Sequence, residues 1–282
     1  MNIFIVGLGL IGGSLAKSLK GFKNAEIYGI NRTRRYLDSA EKEGVIKKGY
    51  TVDEAEAIKE ADIIILCLYP SLNVEFIKKT GEYLKQGAVI TDVSGVKTYI
   101  EEEMAKILPP GVDFVGGHPM AGREVTSYEN SSADLFENTS YLVVPSKTSK
   151  EENVRLIEEM ARYAGASRVV RTNAENHDEI IAYTSQLMHV VAAAICNIPT
   201  AEKAEGYAGG SIRDATRVAN INETLWSELF LENAPALINA IDNMQAALGD
   251  CRSAIEKGDR KETERLMISA RERKLKRLGG NK

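Results

Sequence analysis

The chain has 282 residues, of which 44% are hydrophobic and 27% charged, and 36 Lys+Arg against 40 Asp+Glu give a formal net charge of −4. This balance is typical of a soluble globular protein of about two domains. It argues against a nucleic-acid binder, which needs surplus positive charge to displace counterions. No apolar run approaches the roughly 20 residues of a membrane helix, and the N-terminus lacks the features of a signal peptide. Three widely spaced cysteines indicate a reduced, cytoplasmic protein without disulfides or a metal site.

Residues 1–172 alternate short apolar runs with amphipathic helical patterns. The apolar runs are rich in β-branched residues and lack alternation, which is typical of parallel strands buried on both faces. The predicted strands are 2–6, 26–30, 63–68, 88–93, 114–116, 141–144 and 167–171, and the predicted helices are 11–19, 34–43, 72–84, 97–108 and 151–163. This βαβ alternation predicts an α/β Rossmann-type, doubly wound domain.

Residues 173–282 carry almost no strand signal. Long helical periodicities take over, and the predicted helices are 175–197, 211–218, 224–247 and 250–278. We therefore expect an all-helical C-terminal domain over residues 173–282, after the α/β domain of residues 1–172.

A glycine-rich loop joins the first predicted strand to the first predicted helix. Gly7, Gly9 and Gly12 form G-x-G-x-x-G, in which the glycines permit a tight turn, a close approach of the backbone to a pyrophosphate, and close helix–strand packing. The helix that follows presents free N–H groups to the phosphates. We assign Gly7, Gly9, Leu10, Ile11 and Gly12 to a dinucleotide site.

The end of the second strand should select the cofactor. NAD-binding domains usually carry an acidic residue there, but this chain has Asn31, Arg32 and Thr33. A carboxylate would repel a 2′-phosphate, whereas these side chains can donate hydrogen bonds to one. We therefore expect NAD(P) with a preference for NADP. The alternative is that the arginines are merely solvated and that NAD binds without the acid.

Three histidines are candidates for chemistry. His118 follows a glycine pair just past a predicted strand, where open α/β sheets place ligands, and an imidazole can accept a proton near neutral pH. His189 shares a helix face with Ser185. For His177 we favour a capping or interdomain role. Arg217 could bind a substrate carboxylate or form an ion pair within its helix.

These segments together resemble a known family, the prephenate and arogenate dehydrogenases of tyrosine biosynthesis. The matching motifs are GLGLIGGS at 7–14, DVSGVK at 92–97, GHPMAGRE at 117–124, the stretch from His177 to His189, and RDATR at 213–217 followed by Trp226. The first motif is shared by many oxidoreductases. The HPMAG and RDATR segments together, in this order, are much more specific.

The resemblance implies oxidative decarboxylation of prephenate to 4-hydroxyphenylpyruvate and CO2, with hydride transfer to the nicotinamide. It implies that His118 accepts the hydrogen bond and the proton of the C4 hydroxyl, that Arg217 binds the ring carboxylate and that His189 contacts the pyruvyl side chain. Further site residues implied by the motifs are Glu124, Asp214, Trp226 and Ser185. A homodimer formed by the C-terminal helices is implied as well.

Two positions depart from the family pattern. Gly95 stands where the family usually has a serine that orients the catalytic histidine and the nicotinamide, so Ser94, Thr98 or a water takes that role; we assign it to Ser94. Gln186 stands where a further histidine is often found.

Other functions remain open at the level of sequence. Arogenate, with an amino group in place of the keto group, is the alternative substrate. A β-hydroxyacid or imine reductase usually has a lysine on the first interdomain helix, and residues 175–197 contain none. A nucleotide-sensing protein without turnover would not need His118 and Arg217 together.

Overall fold

The computed structural model of the chain describes residues 1–123 and 125–277. The chain forms two compact units, one of residues 1–234 and the other from Pro235 onward. The first unit contains one eight-stranded sheet and the helices around it, and the second contains helices.

The sheet is parallel except at one strand pair. Its strands are β1 (Asn2–Val6), β2 (Glu26–Ile30), β3 (Lys48–Tyr50), β4 (Ile63–Leu66), β5 (Val89–Asp92), β6 (Asp113–Pro119), β7 (Ser140–Pro145) and β8 (Arg168–Arg171). They are ordered β3-β2-β1-β4-β5-β6-β7-β8, and only the β6–β7 pair is antiparallel among the described strands. Every residue of β4 and β5 is buried, because helices cover both faces of the central sheet.

The helices that follow the strands are amphipathic. In the first unit they are α1 (Leu10–Ser18), α2 (Arg34–Lys42), α3 (Pro70–Thr80), α4 (Thr98–Ile107), α5 (Glu151–Tyr163), α6 (Ala174–Ile181), α7 (Leu187–Cys196), α8 (Gly210–Thr216) and α9 (Glu223–Glu232). Helices α10 (Ala234–Glu256) and α11 (Arg260–Arg277) follow. One core cluster lies under α1, α2 and α5, and a second lies under α3, α4 and α9 on the opposite face.

This architecture confirms the predicted fold class, a doubly wound α/β domain followed by helices. The change from strands to helices falls between β8 and α6. The division into domains at residue 172 stays a prediction, since the compact units meet at Ala234 and Pro235.

Two predicted helices are interrupted. The helix predicted over 224–247 ends at Glu232, where Asn233 leaves the helical conformation and Pro235 lacks the N–H that would continue the ladder. The helix predicted from residue 250 is divided near Gly258, whose positive φ of 61° ends α10.

Strand β6 is longer than predicted, and this moves His118. The prediction placed His118 just after a strand, but it lies inside β6 opposite Leu142. The parallel pairing of β6 with β5 ends at Phe114, and the rest of β6 pairs only with β7. His118 is therefore still beyond the carboxyl end of β5, at the edge where ligands of such sheets bind.

One stretch, Ala174–Cys196, is long and apolar enough to cross a membrane by length and composition alone. That criterion is also met by core helices of soluble proteins, and 28% of the apolar window is buried in the single chain. Near its start, Asp178 accepts hydrogen bonds from the backbone of Lys97 and Thr98, which ties it to the sheet domain. A cytoplasmic location stays a prediction.

Candidate active site

The glycine loop leaves space for a ligand. Gly7 has a φ of +96°, and a Cβ on Gly12 would lie 1.9 Å from the Gly7 carbonyl oxygen, so larger residues do not fit at these positions. A Cβ on Gly9 would meet nothing within 4 Å, which leaves the loop open on that side. Helix α1 begins at Leu10 with no side-chain cap. Its first N–H groups are thus placed to bind a pyrophosphate.

Asn31 braces this loop. Its Oδ1 accepts a hydrogen bond from the Leu8 N–H at 3.0 Å, and its Nδ2 donates to the Thr33 carbonyl at 3.1 Å. Arg34 pairs with Asp38 on α2. Arg32 is exposed. The end of β2 therefore presents an amide and an exposed guanidinium where a carboxylate is usual.

A chain of hydrogen bonds runs inward from His118. Its Nδ1 is 2.9 Å from Nε2 of His177, whose Nδ1 is 2.8 Å from Oδ1 of Asp178. Asp178 also accepts from the backbone N–H groups of Lys97 and Thr98, each at 2.8 Å. His118 is half-buried and His177 is 1% exposed. These bonds join the start of α6 to β6 and to the segment that follows β5.

Both imidazoles are uncharged at neutral pH. Burial lowers the pKa of His118 well below its ordinary value, and the neighbouring His177 ring and the positive charge of Lys97 lower it further. Burial also lowers the pKa of His177, although the hydrogen bond to Asp178 acts in the opposite direction. His118 is therefore able to accept a proton.

An ion pair lies beneath His118. Lys97, 1% exposed, places its Nζ 2.5 Å from Oδ2 of Asp92, and Oδ1 of Asp92 accepts from the Gly117 N–H at 3.1 Å. Burial lowers the pKa of Lys97, and its attraction to Asp92 opposes this. A Cβ on Gly117 would lie 2.7 Å from the Asp92 carbonyl. Strand β6 can therefore pass over the Lys97–Asp92 ion pair only because the residue before His118 is glycine.

Ser94 and Gly95 face different neighbours. The buried Ser94 hydroxyl accepts from Nδ2 of Asn73 at 3.2 Å. A Cβ on Gly95 would instead lie 3.9 Å from Cε1 of His118 and 3.5 Å from Leu229. Position 95 thus borders the histidine, whereas the hydroxyl of Ser94 is directed to Asn73. The role of Ser94 stays a prediction.

His189 lies in a second part of the site. Its ring stacks on Trp226 with 3.5 Å between centroids, and its Nδ1 is 3.0 Å from the Ser185 carbonyl. The stretch Ala182–Gln186 just before α7 is a π-helical turn, a feature frequent at functional sites. Trp226 and Leu229 of α9 pack with the second core cluster, so the stacked pair and His118 belong to one compact unit.

Gln186 has a structural role. It is buried, its Nε2 donates to the Leu229 carbonyl at 3.1 Å, and its Oε1 accepts from Nδ2 of Asn233 at 2.8 Å. The residue that stands where the family often has a further histidine therefore holds α9 against the π-helical turn.

The arginine motif begins as a helix and ends as a turn. Helix α8 ends at Thr216, and Arg217 opens the turn Arg217–Ala219, which packs against α7. Arg217 and Asp214 are both exposed. The predicted site residue Glu124 lies outside the described residues.

Comparison with known proteins decides the family. The sequence model of the prephenate dehydrogenase nucleotide-binding domain matches residues 15–170, and that of the prephenate dehydrogenase dimerization domain matches residues 173–269. The chain belongs to the prephenate dehydrogenase family. The Lactococcus lactis prephenate dehydrogenase is 31% identical over 267 residues, which cover 92% of this chain and 72% of that protein.

Two solved structures extend the similarity to the whole fold. The A. aeolicus prephenate dehydrogenase in complex with hydroxyphenyl propionate and NAD+ has a TM-score of 0.89 and 28% identity, over 98% of this chain and 97% of that one. The Synechocystis arogenate dehydrogenase has a TM-score of 0.86 and 25% identity, over 98% and 99%. The predicted family, an NAD(P)-dependent decarboxylating dehydrogenase, is confirmed.

Sequence reasoning missed one contact in this dehydrogenase. His177 was interpreted as a cap or interdomain residue, but its ring is bonded to the ring of His118. The only local signal was the adjacent Asp178, because a histidine beside a carboxylate is a common orienting pair. Because His177 and His118 are 59 residues apart in the sequence, no local pattern indicated that their rings are in contact.

Proposed function

We propose that this chain oxidatively decarboxylates prephenate to 4-hydroxyphenylpyruvate and CO2, with hydride transfer to NAD(P)+. The observation that carries the proposal is the uncharged, half-buried His118, held by His177 at the carboxyl edge of the sheet beside the loop that contains Gly95. This is a base at the place where an open α/β sheet binds its ligand.

The glycine loop fits the dinucleotide. We assign Gly7, Gly9, Leu10, Ile11 and Gly12 to the pyrophosphate, because the open side of Gly9 and the uncapped start of α1 suit it. When bound, the nicotinamide supplies the hydride acceptor.

His118 assists the reaction by holding a proton. As it accepts the C4 hydroxyl proton, electron density on the oxygen favours departure of hydride from C4, and departure of CO2 makes the ring aromatic. Prephenate and NAD(P)+ give the keto acid, CO2 and NAD(P)H without net gain or loss of a proton. His118 must therefore return the proton to the phenol oxygen.

The remaining assigned residues orient the substrate. We assign Arg217 to the ring carboxylate and the His189–Trp226 stack, with Ser185, to the side chain of the substrate. The family motifs assign Glu124 and Asp214 to shaping or gating the substrate site, and we assign to Ser94 the role of orienting His118.

The proposal is tested by the absorbance of reduced nicotinamide, with prephenate and arogenate each combined with NAD and NADP. We expect turnover of prephenate and a loss of about 10³-fold in kcat for His118→Asn, since general bases contribute about 10²–10⁴-fold. Binding of the nucleotide should persist in this variant. Full turnover by folded His118→Asn would overturn the mechanism.

Arogenate is the second candidate substrate, because the similar Synechocystis structure is an arogenate dehydrogenase. Turnover of arogenate alone in the same assay would keep the roles of the residues and change the substrate.

For the cofactor we propose a preference for NADP, supported by Asn31 and the exposed Arg32. Asn31→Asp should shift the ratio of kcat/KM for NADP over NAD about tenfold toward NAD, because a carboxylate repels the 2′-phosphate. Arg34→Ala, which removes an arginine paired with Asp38, is the control and should leave the ratio unchanged. A wild-type ratio below one would contradict the proposal.

We further propose a cytoplasmic homodimer formed through the C-terminal helices. The matched dimerization-domain model and the exposed apolar side chains of these helices support it.

A further inference from the structure

We propose that His177 and Asp178 fix the tautomer of His118, so that Nε2 of His118 carries the lone pair that receives the substrate proton. His177 is then a positioning residue for the reaction. The inference rests on the proposed function for its consequence in turnover, but the tautomer itself can be measured without substrate.

The direction of the hydrogen bonds is set at Asp178. Its carboxylate accepts the N–H groups of Lys97 and Thr98, which have no alternative but to donate. Burial raises the pKa of Asp178, but the hydrogen bonds from His177 and Thr98 outweigh it and keep the pKa below its ordinary value. Asp178 is thus an ionised acceptor at neutral pH, and the Nδ1 of His177 must donate to it across 2.8 Å.

The donor and acceptor of the hydrogen bond between His177 and His118 follow from this. A neutral imidazole carries one proton, so a His177 that donates from Nδ1 has a lone pair on Nε2. The Nδ1 of His118, 2.9 Å away, must therefore donate. The reverse tautomer of His118 would set two lone pairs against each other at this distance. The proton of neutral His118 is thus on Nδ1, and its Nε2 is free of a proton.

The same contacts stabilise the charge that forms during the reaction. When Nε2 accepts the hydroxyl proton, the O–H bond breaks and an N–H bond forms, and His118 becomes an imidazolium that still donates from Nδ1 to His177. The carboxylate of Asp178, hydrogen-bonded to the far side of His177, attracts this charge by Coulomb's law, whereas the charge of Lys97 opposes it. Asp92 lies 2.5 Å from Lys97 and offsets that repulsion.

The test combines ¹⁵N NMR of the imidazoles with kinetics. The chain has 3 histidines, so the ring signals can be assigned by single substitutions. In the wild-type protein with nucleotide and no substrate, we expect His118 and His177 to be protonated on Nδ1. A wild-type His118 protonated on Nε2 would overturn the inference, whatever the enzyme turns over.

Two substitutions of His177 separate positioning from folding. His177→Leu removes the acceptor, and we expect a mixture of His118 tautomers, a fall in kcat of about 10²-fold and a KM for prephenate within about threefold. His177→Gln, whose amide oxygen can accept from Nδ1, should restore most of kcat and the Nδ1–H tautomer. Thermal melting shows whether each variant folds.

The outcomes are distinguishable. Unchanged kcat and an unchanged His118 tautomer in folded His177→Leu would refute the positioning role. If wild-type protein turned over neither prephenate nor arogenate but showed the expected tautomers, the proposed function would fail and the assignment of the proton would stand. If His177→Leu does not fold, the wild-type spectrum and the His177→Gln comparison still decide.

Discussion

Glu232 on α9 is a carboxyl group that burial keeps protonated. Burial, together with the nearby Glu228 one helical turn earlier, raises its pKa to about 8. Its Oε2 is buried without a hydrogen-bond partner among residues 1–123 and 125–277. Glu228 itself accepts from the Ser71 N–H at 2.6 Å, at the start of α3. The α9–α3 contact thus combines one carboxylate held by a helix N-terminus with one neutral acid.

This acid should make stability depend on pH. With a pKa of 4.5 when unfolded and about 8 when folded, Glu232 binds its proton more tightly in the folded chain. Its contribution is therefore full below pH 4.5 and is lost as the pH rises through 8. We expect the free energy of unfolding to fall by about 1 kcal/mol over this range, a value reduced because water screens a half-buried group.

Urea unfolding at several pH values measures this effect. Glu232→Gln should remove the slope, whereas Glu223→Gln, at an exposed position of the same helix, should retain it. Equal slopes for the two variants would show that Glu232 is ionised in the folded chain.

At the scale of elements, Asn233 joins three segments where α9 ends. It is 4% exposed, and its Nδ2 donates to the Asp178 carbonyl at 2.9 Å and to Oε1 of Gln186 at 2.8 Å. Helix α6, the π-helical turn and the end of α9 are therefore held together by one amide. Because α6 carries His177 and the turn precedes His189, this amide supports both parts of the site.

Asn233→Ala should destabilise the first unit by about 1–3 kcal/mol, because it leaves the buried amide oxygen of Gln186 without this donor and removes one of the hydrogen bonds to the Asp178 carbonyl. Asn243→Ala, which removes an exposed asparagine bonded to Asn239 on α10, should change stability by less than about 0.5 kcal/mol. Urea unfolding compares them. A similar effect of both substitutions would contradict the bracing role.

The elements that sequence predicted best were those with the strongest local signal. Strands β1 and β2 have the predicted bounds, because a buried parallel strand is an unbroken apolar run. The three residues of β3, Lys-Gly-Tyr, carry no such run, and this edge strand was missed. The end of α9 had a signal, Pro235, that the periodicity of the flanking residues obscured.

The candidate site likewise contains features with a local sequence signal and features that only long-range packing creates. The glycine loop and His118 were found because their chemistry lies within one short segment. The bonds from Asp178 to Lys97 and Thr98 join residues 81 and 80 positions apart, and only the packing of α6 on the sheet domain creates them. The side to which the Ser94 hydroxyl points was equally inaccessible, since it depends on Asn73 on a different helix.

At the scale of the whole molecule, the helical part of the chain exposes apolar side chains. Those of the first unit that lie after the sheet include Ile180, Tyr183, Met188, Ile198 and Leu231. Together with the low burial of the apolar stretch Ala174–Cys196, these side chains mark the surface on which we expect a second copy to pack. A symmetric dimer would cover the same patch on both copies.

Leu231→Lys should therefore weaken the proposed homodimer. Leu231 is 77% exposed in the single chain, and covering a leucine is worth about 1.5–3 kcal/mol. Because a two-fold interface contains the residue twice, the change should cost about 3 kcal/mol or more, which corresponds to at least about 10²-fold in the dimer dissociation constant. Val52→Lys, at a 47% exposed apolar position that follows the edge strand β3, should leave that constant unchanged. Light scattering over a dilution series measures both variants.

A wild-type protein that stays monomeric would refute the dimer. A wild-type dimer unaffected by Leu231→Lys would place its interface on another surface, and the exposed leucine would then need a different partner.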